Sequence, residues 1–320
     1  MTASRSGPRL GPRHGVVCVL GIFARDVTCL APRQPRMGET LLADAVYEGP
    51  GGKGSNQAVA AARLGARARL ITRLGQDAGA ALARETWAEA GVTPLAVVSQ
   101  SQPTGSALIL VETASGRNAI AVHPGAAAEL RPADVERFAA EIRESAVMLT
   151  QLEQPLPAAR RALEIAREAG TATILNPAPA APLPADLLAL CDHLTPNEPE
   201  AEALTGLPVE SEEDAVRAAR ALRAMGVGTV VLTMGGRGAL ICDASGERRL
   251  PALGRGPVVD TVGAGDVFAG AYATALAEGR PPHEAVRFAN AAAGISVTRP
   301  GAAASAPTRA EVEAALAEQA

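Results

Sequence analysis

The sequence has 320 residues, of which 48% are hydrophobic and 20% charged, so it can bury a large core, and disorder over its whole length is excluded. Its formal net charge of −4 creates no positive field to attract nucleic acid or an anionic membrane, and aromatic residues, on which single-stranded bases stack, are only 2% of the chain. These values favour a small-molecule substrate.

The ends and the cysteines indicate where the protein works. Residues 1–14 are basic and rich in Gly and Pro without the apolar run of a signal peptide, which predicts a disordered N-terminal tail. No stretch approaches the roughly 18 consecutive apolar residues of a membrane span. Cys18, Cys29, Cys191 and Cys242 are widely scattered and form no C-x-x-C pair, so we expect reduced thiols and a cytoplasmic location.

From residue 15 onward, short aliphatic runs alternate with Ala-rich helical patterns, which predicts one α/β domain over 15–320 with a mostly parallel sheet covered on both faces by helices. Two regions, about 39–48 and 105–122, have strand-like segments without an intervening helix and predict a small β lid that excludes water from a reaction. The predicted strands are 16–21, 69–72, 147–150, 173–175, 193–195, 229–233 and 239–242. The predicted helices are 54–64, 78–90, 132–144, 157–169, 198–204, 211–225, 265–278, 282–297 and 308–318.

The segment D-T-V-G-A-G-D runs from Asp260 to Asp266 and leads into a helical pattern. Glycines at a helix entrance let backbone N–H groups converge, and the helix dipole adds positive potential, so phosphate is favoured there. An Asp at a helix start is also a common N-cap, however. Taken alone, the segment leaves an anion hole and an ordinary cap as alternatives.

A second segment, G-G-K-G-S-N-Q-A at 51–58, also precedes a helical pattern. Its glycines permit close backbone approach to a ligand, and Lys53 and Asn56 offer donors suited to sugar hydroxyls. It is not a Walker A loop, because Lys53 is followed by Gly54 rather than Ser or Thr. Nor does it directly follow a predicted strand, as a dinucleotide fingerprint does.

Together the two segments resemble the paired signatures of the PfkB-type carbohydrate kinase family, specifically its ribokinase-like members, from about residue 21 to 307. The resemblance implies a three-layer α/β/α sandwich with a mostly parallel central sheet and a β-sheet lid. It also implies ATP with Mg²⁺, K⁺ as a monovalent activator, and a homodimer formed through the lid. Further matching stretches are M-G-E-T at 37–40, Q-L-E at 151–153, L-N-P-A-P-A at 175–180, T-P-N-E-P-E-A-E at 195–202, T-M-G-G-R-G at 233–238 and V-T-R-P-G at 297–301.

The resemblance also implies a role for each matching residue. Asp266 is expected to take the proton from a sugar hydroxyl, while the N–H groups of Gly263, Ala264, Gly265 and Asp266 stabilise the transferring phosphoryl group. The sugar-binding positions are Asp26, Gly52, Lys53, Asn56, Glu153 and Asp266. The nucleotide-binding positions are Asn197, Thr233, Gly235, Gly236, Arg237, Gly238, Gly265 and Asn290. The monovalent-cation positions are Asp260, Val262, Ser296, Arg299, Gly301 and Ser305, and Glu200 is expected to act on Mg²⁺ through water.

One segment departs from the family pattern. G-I-F-A-R-D at 21–26 stands where the family has G-S-x-N-x-D, so Ile22 and Ala24 replace the Ser and the sugar-contacting Asn, while Asp26 is retained. The implied reaction is phosphorylation of the 5-hydroxyl of D-ribose, with 2-deoxyribose, another sugar or a nucleoside as alternatives, because sites that bind hydroxyls discriminate through such amides. A non-catalytic sugar or nucleotide sensor is the alternative of another class. Asp266 disfavours it, because a pure binder needs no base.

Overall fold

The computed structural model describes residues 13–318. The predicted tail lies outside the described residues over 1–12. Arg13 and His14 form a turn, in which Arg13 donates to the carbonyl of Ala169 and the His14 ring lies 3.1 Å from the carbonyl oxygen of Glu278. No helix between residues 13 and 318 is both long enough and apolar enough to cross a membrane.

Strands and helices alternate along most of the chain, and every predicted strand is present. The strands are β1 Val16–Leu20, β2 Ala24–Ala31, β3 Ala45–Gly51, β4 Arg67–Leu74, β5 Thr93–Val98, β6 Gly105–Glu112, β7 Asn118–His123, β8 Val147–Thr150, β9 Ala172–Leu175, β10 His193–Leu194, β11 Thr229–Thr233, β12 Ala239–Asp243 and β13 Gly246–Leu250. The helices are α1 Lys53–Arg63, α2 Ala78–Ala90, α3 Pro132–Glu136, α4 Ala139–Arg143, α5 Leu156–Glu168, α6 Ala185–Leu188, α7 Glu198–Thr205, α8 Glu212–Ala224, α9 Ala264–Ala277, α10 Pro282–Ser296 and α11 Arg309–Ala317, with short 3-10 helices at Gly125–Glu129 and Gly235–Arg237.

The main sheet has nine strands in the order β13-β12-β11-β10-β9-β8-β1-β4-β5. The pairs from β11 to β5 are parallel, and only β12 and β13 run antiparallel to their neighbours. Alternate residues of β1 face opposite layers, as the period of a strand requires. Val17 and Val19 pack with α1, α9 and α10, whereas Cys18 and Leu20 pack with α3, α4 and α5. The predicted α/β/α sandwich with a mostly parallel sheet is confirmed.

A separate four-stranded sheet forms the lid, in the order β3-β2-β6-β7. The prediction assigned it 39–48 and 105–122, but residues 39–44 are not in a strand, β3 extends to Gly51, and β2 also belongs to it. β2 begins only four residues after β1 ends, and its first residue, Ala24, pairs with Gly51 and with Gly105. Such long-range pairing has no local periodicity to reveal it.

Other differences lie at the margins of the fold. The predicted helix 132–144 is split into α3 and α4 at Phe138, whose φ of −117° and ψ of 22° are not helical. The edge strands β5 and β13 were not predicted: β5 contains Pro94, which an edge strand tolerates, and β13 reads G-E-R-R-L with little apolar character. The four-residue α6 was also missed.

Close contacts at two glycines determine how near α1 lies to β1 and to α9. A Cβ atom on Gly54, in the first turn of α1, would lie 2.5 Å from the Cα of Gly21 at the end of β1. A Cβ atom on Gly270 of α9 would lie 2.5 Å from the carbonyl oxygen of Gln57 and 2.9 Å from the Cβ of Ala60, both on α1. Glycine at these positions therefore lets α1 approach both β1 and α9.

We predict that Gly270→Ala destabilises the protein. Helix propensity alone would make Ala stabilising by about 1 kcal/mol. The added methyl, however, meets the backbone of α1, and overpacking of this kind costs about 1–3 kcal/mol. Urea unfolding measures the difference, with Gly49→Ala as the control because a Cβ at Gly49 meets nothing within 4 Å. A Gly270→Ala protein more stable than the parent would contradict the packing argument.

Candidate active site

A cleft of about 230 Å³ opens where the start of α9 faces the carboxyl ends of the central parallel strands. Ligands of open α/β sheets bind at this edge. The cleft brings together residues that are far apart in the sequence and that carry one cation, two carboxylates, two amides and three hydroxyls. It is lined by Lys53, Asn176, Ala178, Thr195, Asn197, Glu200, Thr233, Thr261, Gly263, Gly265, Asp266 and Phe268.

Asp266 lies in the first turn of α9 and is 6% exposed. The side-chain amide of Asn56 donates to its Oδ2 at 3.0 Å, and the amide of Gln57 donates to its Oδ1 at 3.1 Å. The N-cap residue is Gly263, and the helix has no side-chain cap. Asp266 is therefore not an ordinary cap, and its carboxylate faces α1 and the cleft.

Burial is the main influence on the charge of Asp266. Desolvation raises the pKa of Asp266, while Lys53 and the amides of Asn56 and Gln57 oppose the rise by favouring the ionised form. A general base works best when its pKa lies near the working pH. The surroundings thus move this carboxylate toward the range of a base and keep donors on both of its oxygens.

The turn before α9 has the geometry of an anion site. Gly263 has a φ of 76°, and a Cβ there would lie 2.6 Å from the Cα of Ala302, so glycine is required on both counts. The N–H groups of Gly265 and Asp266 belong to the first turn, where no intrahelical acceptor exists. The N–H of Ala264 also donates to the carbonyl of Thr261, at 3.3 Å. The first-turn donors and the helix dipole favour a negative charge here.

Acceptors for hydroxyl groups are provided by Asp26, Glu153 and Asn56. The Asp26 carboxylate packs over Gly51, where a side chain would collide with it. The Glu153 carboxylate accepts the backbone N–H of Lys53 at 2.7 Å. The Oδ1 atom of Asn56 is buried and has no hydrogen-bond partner among the described residues. A buried acceptor without a partner is costly, so this atom is suited to a hydroxyl of the substrate.

Burial also shifts the titration of these two carboxyls. Desolvation raises the pKa of Asp26 to about 6. Desolvation likewise raises the pKa of Glu153 to about 7, although the backbone N–H and the charge of Lys53 act in the opposite direction. Gly52, the N-cap of α1, has a φ of 88° and lets the backbone pass close to Ile22. The predicted sugar-binding residues therefore lie around the start of α1.

The residues predicted to bind nucleotide are not all at the cleft. Asn197 and Thr233 line it. Arg237 forms an ion pair with Glu198, and the amide of Asn290 donates to the carbonyls of Leu250 and Pro251. The 3-10 turn that holds Gly235, Gly236 and Arg237, and Gly238 after it, lies beyond the end of β11. Their role in binding nucleotide stays a prediction.

Asn197 and Glu200 form a capping box at the start of α7. The Oδ1 of Asn197 accepts the Glu200 N–H at 2.9 Å, and a Glu200 carboxylate oxygen accepts the Asn197 N–H at 2.9 Å. Burial raises the pKa of Glu200, which is 7% exposed. One carboxylate with a free oxygen at a cleft fits Mg²⁺, which keeps several waters and takes its other ligands from substrate phosphates.

The residues predicted to hold a monovalent cation surround the loop before α9. Asp260 accepts the N–H of Val262 and the N–H of Gly301, both at 2.9 Å, and so ties two loops together. The hydroxyls of Ser296 and Ser305 donate to backbone carbonyls. The side chain of Arg299 pairs with Glu311, so only its carbonyl remains for a cation.

The atoms that could coordinate a cation here are all oxygens, which suits a K⁺ ion. Over residues 13–318 there is no cluster of three or more His, Cys, Asp or Glu side chains able to hold a metal. A cation beside Asp260 would therefore depend on backbone carbonyls, and its presence stays a prediction.

Sequence reasoning missed three buried amides at this site: Gln57, Gln151 and Asn176. The Gln57 amide donates to Asn176 as well as to Asp266, and Gln151 donates to Gln57. All three stand inside stretches that the resemblance had already marked. The signal was present as amide side chains in matched motifs, but only their convergence in space shows what they contact.

Comparison with known proteins identifies the class. Residues 16–309 match the pfkB family carbohydrate kinases, and the chain belongs to that family. The ribokinase of Haemophilus influenzae is 41% identical over 295 residues, which are 92% of this chain and 95% of that protein. The deoxyribokinase of Salmonella typhi is 34% identical over 293 residues, 91% of this chain and 95% of that protein.

A solved structure agrees with both. The ribokinase of Arabidopsis thaliana, complexed with ribose and ATP, is 32% identical and superimposes with a TM-score of 0.87. The alignment covers 94% of this chain and 98% of that one. The predicted family, fold and enzyme class are therefore confirmed: the chain is a carbohydrate kinase of the pfkB family.

We predict that Glu153→Gln changes how stability depends on pH. The pKa of Glu153 is raised from 4.5 to about 7, so the folded state prefers the protonated form, and its contribution to stability is lost as pH rises through about 7. Glutamine has no proton to lose. Urea unfolding at about pH 5.5 and about pH 8 should show the variant gaining stability relative to the parent at the higher pH. Parallel pH profiles for the two proteins would contradict the assignment.

Proposed function

We propose that this protein transfers the γ-phosphoryl group of ATP to the 5-hydroxyl of D-ribose. One observation supports this above all: the buried Asp266 carboxylate, held by two amides, lies in the same helix turn as the free N–H groups of Gly265 and Asp266. A base and an anion site side by side are what phosphoryl transfer to an alcohol requires. The relatives support the choice of ribose, since they include a ribokinase and a structure with ribose and ATP.

The sugar is oriented by acceptors. Asp26 and Glu153, once ionised, accept hydrogen bonds from the ring hydroxyls, and Asn56 Oδ1 accepts another. The positive charge of Lys53 interacts with the carboxyls of both Glu153 and Asp266, and it partly balances their negative charge. These contacts hold the 5-hydroxyl toward Asp266, and the lid sheet covers the sugar and excludes water.

In the transfer step, Asp266 accepts the proton of the 5-hydroxyl while the oxygen attacks the γ-phosphorus of ATP. A bond forms between that oxygen and phosphorus, and the bond from phosphorus to the bridging oxygen of ADP breaks. Negative charge on the moving phosphoryl group is stabilised by the N–H groups of Gly265 and Asp266 and by Lys53. The products are ribose 5-phosphate and ADP, and the proton remains on Asp266 until it is released to solvent.

Nucleotide is proposed to bind along Asn197 and Thr233, at the ends of the neighbouring strands, with Gly235, Gly236, Arg237, Gly238 and Asn290 beyond them. Glu200 would hold Mg²⁺ through water, and the ion would neutralise charge on the phosphates. The oxygen set around Asp260 would hold K⁺ and so steady the two loops that form the anion site.

A homodimer formed through the lid is also proposed. Apolar side chains on the lid strands are unusually exposed: Leu108 and Tyr47 are each 60% exposed, and Ile120 is 55% exposed. Val46 and Val122 are also exposed, and the register places Tyr47, Ile120 and Val122 on one face of the sheet and Val46 and Leu108 on the other. Exposed apolar side chains on a sheet are typical of protein interfaces, and a second copy of this chain would cover the face that carries Tyr47, Ile120 and Val122.

Asp266→Asn should abolish turnover and leave nucleotide binding intact. Asparagine keeps the shape of the carboxylate but cannot accept a proton, and loss of a positioned base lowers kcat by about 10²–10⁴-fold. Kinase activity is measured by ADP release with ribose, and ADP affinity by calorimetry. Asp186→Asn is the matched control, since Asp186 lies on α6 at the surface, where it pairs with Arg160, and it does not line the cleft. Turnover retained by Asp266→Asn would exclude Asp266 as the base.

A second candidate substrate, 2-deoxyribose, is favoured by Ala24. This residue is 3% exposed at the start of β2, two positions before Asp26, and places a methyl group where the family has an amide. A site without that amide loses much of its ability to reject a sugar that lacks a hydroxyl. The Salmonella typhi deoxyribokinase is among the relatives.

We therefore expect ribose to have the highest kcat/KM in a panel of pentoses, hexoses and nucleosides, with 2-deoxyribose a close second, and turnover to be higher with K⁺ than without it. Ala24→Asn should raise the preference for ribose by about 5-fold, because one added hydrogen bond is worth about 1 kcal/mol. Ala24→Leu controls for side-chain size. Turnover with a hexose or nucleoside alone would reject ribose, and no turnover with any compound would favour a sensor.

A further inference from the structure

We propose that Gln57 is a positioning residue that orients the Asp266 carboxylate and keeps it ionised until the sugar hydroxyl delivers its proton. This inference rests on the proposed role of Asp266 as the base. Gln57 is completely buried in α1, beneath the cleft rather than in its lining. Asn56 is also absent from the lining, but its Oδ1 atom has no hydrogen-bond partner among the described residues, whereas both ends of the Gln57 amide are bonded. Gln57 can influence the reaction only through the groups that it contacts.

The orientation of the Gln57 amide follows from a group that can only accept. The carbonyl oxygen of Thr195 accepts the Asn176 amide N–H at 3.0 Å. The Oδ1 of Asn176 must therefore face Gln57, where it accepts a hydrogen bond at 3.1 Å. The group of Gln57 that faces both this oxygen and the Asp266 carboxylate has to be its NH₂ group. A flipped Gln57 would place an oxygen against two other acceptors.

The hydrogen bond at the other end of the Gln57 amide is consistent with this orientation. The Oε1 of Gln57 accepts from the NH₂ group of Gln151, which leaves the Oε1 of Gln151 buried and without a partner among residues 13–318. That atom lies against Gly21, where a side chain would collide with it. An unpaired buried acceptor is costly. The network has this cost at Gln151, its outer end, while the Gln57 amide donates to Asp266.

Two amides thus occupy one direction on each oxygen of Asp266: Gln57 on Oδ1 and Asn56 on Oδ2. Since Asp266 also lines the cleft, the direction that stays open for a proton faces the substrate. A protonated Asp266 would lose no bond to either amide if the proton lay on that side. Gln57 therefore selects the position of the transferred proton as well as the angle of the carboxylate.

The charges around Asp266 make this donor important. Lys53, from α1, favours the ionised carboxylate, whereas Glu153, after β8, and Glu200, on α7, oppose it, as does burial. Burial is the largest of these influences. The amide hydrogen bonds of Gln57 and Asn56 act against it, so removing either donor should make the base harder to ionise.

The test is Gln57→Met, which preserves side-chain length and removes the donor. Below its pKa the base is protonated and kcat falls, so a raised pKa moves the acidic limb of the kcat profile to higher pH. We expect an upward move of roughly one pH unit, since the variant loses a hydrogen bond that favours the ionised carboxylate. On the acidic limb, kcat at a fixed pH should fall roughly 10-fold, while KM for sugar and for ATP changes little.

Gln154→Met is the matched control. Gln154 is another buried glutamine, 4% exposed, whose amide donates to Thr150 and to the carbonyl of Gln151 but not to Asp266. It should lose stability, as Gln57→Met does, with the acidic limb of kcat unmoved. A purely structural role for Gln57 predicts the same result for both variants.

Gln57→Glu is a second test variant, and its side chain has the same shape as glutamine. An ionised glutamate against Asp266 should move the acidic limb further upward than Gln57→Met does, because like charges disfavour ionisation. The inference is overturned if the parent turns over ribose, Asp266→Asn does not, and both Gln57 variants keep the acidic limb of the parent. A parent that phosphorylates no sugar, or an active Asp266→Asn, would instead overturn the proposed function.

Discussion

The contact between the start of α1 and the start of α9 is the constraint on which the rest of the site depends. Asp266 and Asn56 are 210 positions apart in the chain, yet the amides of Asn56 and Gln57 bond to both oxygens of the Asp266 carboxylate. This is possible because Gly270 lets the two helices meet at the backbone, without side chains between them. The same approach places the proposed phosphate-binding end of α9 against the proposed sugar-binding end of α1, so in the proposed reaction the hydroxyl and the phosphorus would meet at their junction.

The charge distribution follows from that junction. Asp26, Glu153 and Asp266 lie close enough for their charges to interact, around a single ammonium group on Lys53. Desolvation raises the pKa of all three carboxyls. In the proposed complex, a sugar would supply hydrogen-bond donors to these carboxylates, and ATP would bring its negative charge to the N–H groups at the start of α9. Three buried carboxylates around one ammonium group carry a desolvation cost that hydrogen bonds from a sugar would reduce.

In the proposed function, specificity is decided at the lid rather than in the core. β2 starts four residues after β1 ends and pairs with the other lid strands. Ala24 and Asp26, which are on β2, therefore lie where the main sheet meets the lid. The proposal assigns substrate selection to the position of Ala24 on β2 and the reaction chemistry to Asp266 and the start of α9. Separation of reaction chemistry from substrate selection in this way lets one fold serve related sugars.

Much of the protein could be predicted from sequence alone. Apolar runs and Ala-rich helical patterns determined the parallel strands from Val16 to Thr233 and most helices, because these elements have a local period. The two glycine-rich segments indicated the family and singled out Asp266, Lys53 and Asn56 as candidate site residues. The edge strands β5 and β13, the break at Phe138 and the pairing of β2 required the tertiary structure, because edge strands lack apolar periodicity and pairing is long-range. Only the structure could show that Gln57 connects Gln151 and Asn176 to Asp266, since hydrogen bonds between segments far apart in the chain leave no trace in local sequence.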